Sequence, residues 1–190
     1  MSTTHWIIGA VVVLAVVYAI VVFNRLIRQR NIVREGWSGI DVQLRRRTDL
    51  VPNLVEAVKG YAAHERGLFE DVGKHRAASI AASDVGGQAS AERELNGSLG
   101  RLMALAEAYP RLKADKNFLE LQAQLALVED QIQMARRYYN GAVRNLNISI
   151  QSFPELIVAK VLGFKEEPFF ELEDRAQGAA PQVSFPAGKP

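Results

Sequence analysis

Hydrophobic and polar positions divide the chain into one uninterrupted apolar block and a succession of helical stripes. The block is "WIIGAVVVLAVVYAIVVF", Trp6 to Phe23, eighteen residues without a charge. At 1.5 Å per residue it makes a rod of roughly 27 Å, close to the thickness of bilayer hydrocarbon. From Trp37 a heptad takes over. One column is Trp37, Leu44, Val51, Val58, Glu65 and Val72; the other is Ile40, Arg47, Leu54, Tyr61, Leu68 and His75. The stripe passes Pro52 without a change of phase, which argues for one long helix with a kink. Thr48 and Asp49 can instead cap a fresh helix with Pro52 in its first turn. Both readings stay open at this point.

The pattern stops around "SDVGGQAS", Ser83–Ser90, where a Gly-Gly pair among small polar residues predicts a loop. Leu95, Leu99, Leu102, Ala106 and Tyr109 then mark a second helix that ends at Pro110. A third opens near Asp115 and keeps one face from Phe118 through Leu125, Ile132, Tyr139 and Leu146 to Phe153. Pro154 breaks it. "ELIVAKVLGF", Glu155–Phe164, predicts a short apolar helix stopped by Gly163. No stretch alternates with period two. The chain is therefore expected to be all-α, with an N-terminal transmembrane helix continuing into a long antiparallel bundle of about four helices.

Its expected divisions are a short non-cytoplasmic N-terminus (1–5), the transmembrane helix (6–23), a basic juxtamembrane stalk (24–36), the cytoplasmic bundle (37–174) and a disordered tail (175–190). Charge adds an orientation. Asn24 to Arg47 holds seven arginines against Glu35 and Asp41, a surplus of +5 in a chain whose net charge is only +2. "MSTTH" before the apolar block has no Lys or Arg, so the positive-inside rule places the N-terminus outside and the bundle in the cytoplasm. A cleaved signal peptide needs the opposite polarity. Trp6 and Phe23 bound the anchor, and Arg25, Arg28, Arg30 and Arg34 lie within ~16 Å of its end, close enough to grip an anionic inner leaflet. The small net charge gives no reason to expect nucleic acid as a partner.

Signatures of catalysis are scarce. The absence of cysteine excludes disulfides, thiol catalysis and cysteine-ligated metal. "AHERGL" resembles the start of a zincin motif, but Leu68 stands where the second histidine belongs. His64, Asp71 and His75 are too few and too spread for a metal cage, and no cofactor or metal is expected. Arg47 and Glu65 fall in the apolar columns some 27 Å apart on one rod, so each is expected to pair with a neighbouring helix or to lie where the bundle is open. Glu129, Asp130, Arg136 and Arg137 read as a solvated charged face with one-turn pairs. Arg45, Arg46 and Arg47 begin about 30 Å above the anchor, beyond the reach of lipid for an upright molecule. With Pro52 they are the candidate interface, to a protein or, if the helix tilts or bends at Gly36 and Gly39, to headgroups. The alternative is a solvated band in which one arginine pairs with Glu or Asp on the next helix. "IVAKVLGF" with Phe164, Phe169 and Phe170 is expected to pack back on the bundle, the alternatives being a partner or the membrane.

Three stretches carry a resemblance: "GWSGIDVQLRRRTDLVPNLVEAVKGYAAHE" (Gly36–Glu65), "LGRLMALAEAYPRLKADKNFLELQAQLALVEDQIQMARRYYNGAVRNLN" (Leu99–Asn147) and "SFPELIVAKVLGFKEEPFFELED" (Ser152–Asp174). On these the chain resembles the LemA family of bacterial membrane-anchored proteins. The resemblance implies one N-terminal membrane helix, a cytoplasmic bundle of about four long helices and no established enzymatic activity. Relatives among proteins of magnetosome-type internal membranes suggest a part in shaping or organising membrane. Gly36 and Gly39 flank Trp37 where helix formers are expected; at up to ~1 kcal/mol each they predict a soft junction between stalk and bundle. The functional expectation is a non-enzymatic scaffold of the bacterial inner membrane that self-assembles at the membrane surface. An adaptor or chaperone-like module recruiting a membrane or envelope-stress partner is the alternative.

Overall fold

The computed structural model describes residues 3–171, all of whose regular elements are helices. The expected tail 175–190, and residues 172–174 of the expected bundle, lie outside the described residues. Six helices follow in order: α1 (Thr3–Lys59), α2 (Arg66–Ala81), α3 (Val85–Glu107), α4 (Pro110–Lys113), α5 (Lys116–Gln151) and α6 (Glu155–Val161). α1 has 57 residues and so a length of about 86 Å. Up to Val21 almost all of it is exposed, in keeping with an apolar segment long enough to cross a membrane. From Val22 onward it is packed.

α1 runs unbroken through Pro52. A proline lacks the N–H that would bond the carbonyl four residues earlier, here that of Thr48. The structure supplies a substitute: Arg76 Nε of α2 donates to the Thr48 carbonyl oxygen at 2.7 Å. The break comes later. α1 ends at Lys59, and residues 60–65 reverse the chain into α2. Glu65, Leu68, Val72 and His75 therefore do not continue the α1 rod as the heptad predicts. The turn is six residues long, close to one heptad, so the stripe resumes almost in phase on a different helix. A second correction concerns the glycine pair. Only residues 82–84 connect α2 to α3; Gly86 and Gly87 lie in the first turn of α3, and Asp84 caps it by accepting the Gly87 N–H at 2.9 Å. Asp115 caps α5 in the same manner.

α1, α2, α3 and α5 run up, down, up and down, and α5 lies antiparallel along α1 as its principal neighbour. Two apolar cores stack along this axis. The proximal one joins α1 (Val22 to Leu44) to α5 (Ile132 to Ile150), to Ala159 of α6 and to Phe170. The distal one joins Val51, Leu54 and Val58 of α1 to α2, α3, α4 and the start of α5. Residues 24–36 are thus no free stalk, since Leu26 and Val33 are core residues. Gly36 likewise is no weak point. A Cβ there would lie 3.1 Å from Tyr139 Cα, so its lack of a side chain lets α1 and α5 approach closely. Gly39 faces open space.

The Arg76–Thr48 bond makes a non-additive pair. Arg76→Met orphans a half-buried carbonyl and is expected to cost about 1–3 kcal/mol. Pro52→Ala returns the helical N–H to that carbonyl, and in its background the same arginine substitution should cost clearly less. Urea denaturation of the full chain and the three variants in detergent micelles checks this; equal costs in both backgrounds would refute the account.

Candidate functional site

Between the two cores lies a layer of buried polar side chains. Arg47 of α1 and Glu92 of α3 are both 0% exposed and form an ion pair. Arg47 Nη1 also reaches Glu129 Oε1 of α5 at 2.8 Å and donates to Asn96 Oδ1 of α3. Glu92 Oε1 accepts in addition from Gln88 Nε2 at 2.7 Å and from the Ser79 hydroxyl of α2. The second amide N–H of Gln88 is directed at the Ser79 carbonyl, 3.2 Å away. One guanidinium thus binds three helices, and its carboxylate partner brings in the fourth. Arginine suits this position because its planar fork supplies several donors and keeps its charge when buried.

The sequence reading is corrected here in two places. Arg47 is not at a surface, so it is no docking residue; its neighbours Arg45 and Arg46 are exposed, paired with Asp41 and Gln43 on their own helix. Glu129 does not belong to the solvated charged face; it turns inward to Arg47. Glu65 is exposed in the turn before α2, and Pro52 is exposed on α1. Asp71 pairs with Arg101 at 3.0 Å. Among the described residues no three of His, Asp and Glu gather as a metal cage.

A cleft of about 530 Å³ opens beside the layer, with Asp41, Arg45, Thr48 and Asp49 on one wall and Ser79 and Gln88 on the other. Of its two hydroxyls, that of Thr48 donates to the Arg45 carbonyl at 2.8 Å and that of Ser79 to a carboxylate already neutralised by Arg47. Glu92 is thereby engaged as a structural acceptor, and no histidine lines the cleft. The chemistry of the site is that of a register lock.

The membrane-proximal end is built from three pieces. Phe23 meets Phe164 edge-on with ring centroids 6.0 Å apart, and the Arg30 guanidinium stacks over the same Phe164 ring at 5.4 Å. Arg25 pairs with Glu155 of α6 at 2.5 Å. Gln29 donates to Ser149 at 3.0 Å. Of the four juxtamembrane arginines, Arg25, Arg28 and Arg34 are exposed and Arg30 is half-buried. Trp6 is exposed at the far end of the apolar block.

The third piece is a strap, residues 165–171. The sequence predicts that Phe164, Phe169 and Phe170 pack back on the bundle, as Phe164 and Phe170 do, but it does not predict the form of the segment. It runs extended and antiparallel to α5, held by two asparagines. Asn147 donates to the Glu167 carbonyl and accepts the Glu167 N–H, both at 2.9 Å. Asn140 does the same for Phe170, at 3.1 and 2.9 Å. Seven helical residues rise about 10.5 Å and three extended residues span about 10 Å, so the two clamps match. Phe170, fully buried, stands edge-on to Trp37 at 5.6 Å, and Trp37 in turn packs on Tyr139. The Tyr139 hydroxyl donates to the Pro168 carbonyl at 2.8 Å. Burial, with a smaller contribution from the Glu167 carboxylate, pushes that phenol up to about 12. The legible signal was two asparagines seven residues apart at the edge of the α5 stripe.

The LemA family matches residues 36–185. Magnetosome protein MamQ 2 of Paramagnetospirillum magneticum is 25% identical over 188 residues, covering 85% of this chain and 68% of the relative. Magnetosome protein MamQ of Magnetospirillum gryphiswaldense is 24% identical with the same coverage. Protein LemA of Metamycoplasma hominis is 25% identical over 80% of this chain and 69% of its own.

Removing one partner of the buried pair leaves the other charge stranded, so Arg47→Met or Glu92→Leu alone should cost about 3–5 kcal/mol. The double variant should recover much of that loss, as read by urea denaturation; a double variant as unstable as the sum of the two would refute the pairing. Tyr139 gives a pH dependence of definite sign. A phenol whose folded pKa lies above its ordinary value of 10 stabilises the fold fully below pH ~10 and loses that contribution as pH rises through about 12. Ultraviolet titration at alkaline pH should therefore lose a late-ionising phenol when Tyr139 is replaced by Phe. Tyr139→Phe should remove this component of the stability loss between pH 10 and 12, at the smaller cost of one hydrogen bond.

Proposed function

The chain belongs to the LemA family, and we propose that it acts as a non-enzymatic scaffold, self-assembling side by side in the bacterial inner membrane. In this reading α1 crosses the bilayer once with its N-terminus outside, and the packed helices stand in the cytoplasm, held to the anionic leaflet by Arg25, Arg28 and Arg34. The arginine asymmetry around the apolar block supports that orientation. The relatives named magnetosome proteins support a role in organising membrane.

The observation that carries the self-assembly is a second stripe on α5. Leu127, Met134, Tyr138 and Ile148 are all more than half exposed. At 100° per residue they fall within an arc of about 80°, on the side of α5 turned away from the core. Every copy anchored by α1 stands the same way up in the same plane. The stripes of neighbouring copies are thus presented at equal height, and confinement to the membrane raises the effective concentration enough for weak lateral contacts to count. A second copy is therefore the occupant assigned to this face.

A photocrosslinking phenylalanine analogue at Met134, activated in native membranes, is expected to give an adduct of two copies of this chain. Glutamates at both Leu127 and Met134 should abolish self-association, read as dimer and higher species by lysine crosslinking, while leaving thermal unfolding unchanged. A single adduct with one different protein, in stoichiometric amount, would instead favour the adaptor. Monomers alone would sink the scaffold.

A further inference from the structure

α6 is apolar on two sides. One side, Val158 and Ala159, packs on the proximal core with Phe164 behind it. The other faces outward: Phe153 is 81% exposed, Ile157 56% and Val161 79%, with Leu156 alongside. Within α6, Leu156, Ile157 and Val161 fall on one side of the helix with the exposed Lys160 among them, and Phe153 lies just before the helix. Among the described residues nothing covers this outward half of α6. Its place in the fold indicates the cover. Phe164 touches Phe23, the last residue of the charge-free block, and Glu155 pairs with Arg25 two residues beyond it. The exposed face therefore sits at the height where the membrane segment ends. Arg25 and Arg28 on α1, with Lys160 and Lys165 on and after α6, are exposed cations of the two segments that meet here.

We propose that the corner from Phe153 to Leu162 is a second membrane foothold, lying in the headgroup–acyl boundary of an anionic bilayer beside the α1 span. Such interfacial helices bury one apolar face by about 5–10 Å with cations at the rim. The consequence is mechanical. A single α1 span leaves the bundle free to tilt and to rotate about its axis; a second contact a helix width away fixes both. The stripe of α5 is then held at a set angle to the plane of the membrane, which deepens the scaffold reading. The foothold rests on α1 being the membrane span, and the test separates the two.

The chain has no cysteine, so single-cysteine variants need no background changes. Ile157→Cys, Val161→Cys, Val16→Cys and Ala77→Cys are each labelled with nitrobenzoxadiazole. The full chain is reconstituted in vesicles of phosphatidylcholine and phosphatidylglycerol. Labels at 157 and 161 are expected to be quenched several-fold more by a spin-labelled lipid than the label at 77 on α2, and to be shielded from aqueous iodide. The label at 16 reports the α1 span. If 16 is quenched by lipid while 157 and 161 behave like 77, the foothold is overturned and the anchor stands. If 16 is not quenched, the anchor itself falls and the foothold with it. Labels at 157 and 161 shielded from both quenchers would put a second copy on this face and overturn the proposal for lipid.

Discussion

Arg47 has no route to solvent, so its charge must be met inside the bundle, and that requirement fixes how the long helices align. Apolar stripes alone tolerate a slip of one heptad, because Leu44, Val51 and Val58 are nearly interchangeable as knobs. A slip here would slide Arg47 into one of the apolar cores and strand Glu92, each ion costing several kcal/mol without its partner. The register then sets the height of everything else. Glu129 on α5 stands opposite Arg47 on α1. Gln151, where α5 ends, is as many residues beyond Glu129 as Arg25 is before Arg47. Antiparallel helices of equal rise therefore bring the end of α5 beside Arg25, at the edge of the apolar block. One buried ion pair in the middle of the molecule thus determines that α6 arrives at the membrane boundary.

The long stripes and their caps were legible because their causes are local. Asp115 opens α5 by capping it, and the face from Phe118 to Ile150 is the face that is buried. The course of α1 through Pro52 was legible only as an alternative, since what decides it is Arg76, 28 residues away. The position of the first break was misread for a physical reason: a six-residue turn hardly disturbs a seven-residue pattern. Gly86 and Gly87 look like a loop by composition, but Asp84 needs a close approach to the Gly87 N–H, and a Cβ there would sit 2.8 Å from its carboxylate.

The polar layer was half visible. Arg47 in an apolar column announced that a partner exists on another helix, but not which one. Glu92 and Glu129 looked like any other surface carboxylates, because the burial of the one and the inward turn of the other depend on how four helices meet. The strap was less visible still. An extended segment of seven residues has no period to detect, and its hydrogen bonds go to side chains of α5 in place of a neighbouring strand. What holds it is a match of lengths between two secondary structures, which appears only once both are built.

α5 carries three kinds of surface, and their arrangement relates stability to the proposed assembly. Its inward face is apolar and joins the two cores. Along the edge of that face Glu129, Asn140 and Asn147 are polar locks, spaced by three turns and by two, each holding a different element: α1, then two points of the strap. Directional bonds of this sort add little net stability but exclude alternative alignments. The outward stripe from Leu127 to Ile148 has no such lock, although the Tyr138 ring at its edge lies against Gly36 of α1. A helix held in register on one side presents its other side in a fixed position, whereas a helix free to slip would present a smeared one. The same physical device that makes the fold unique therefore makes its free face reproducible from copy to copy, which any ordered array in a membrane requires.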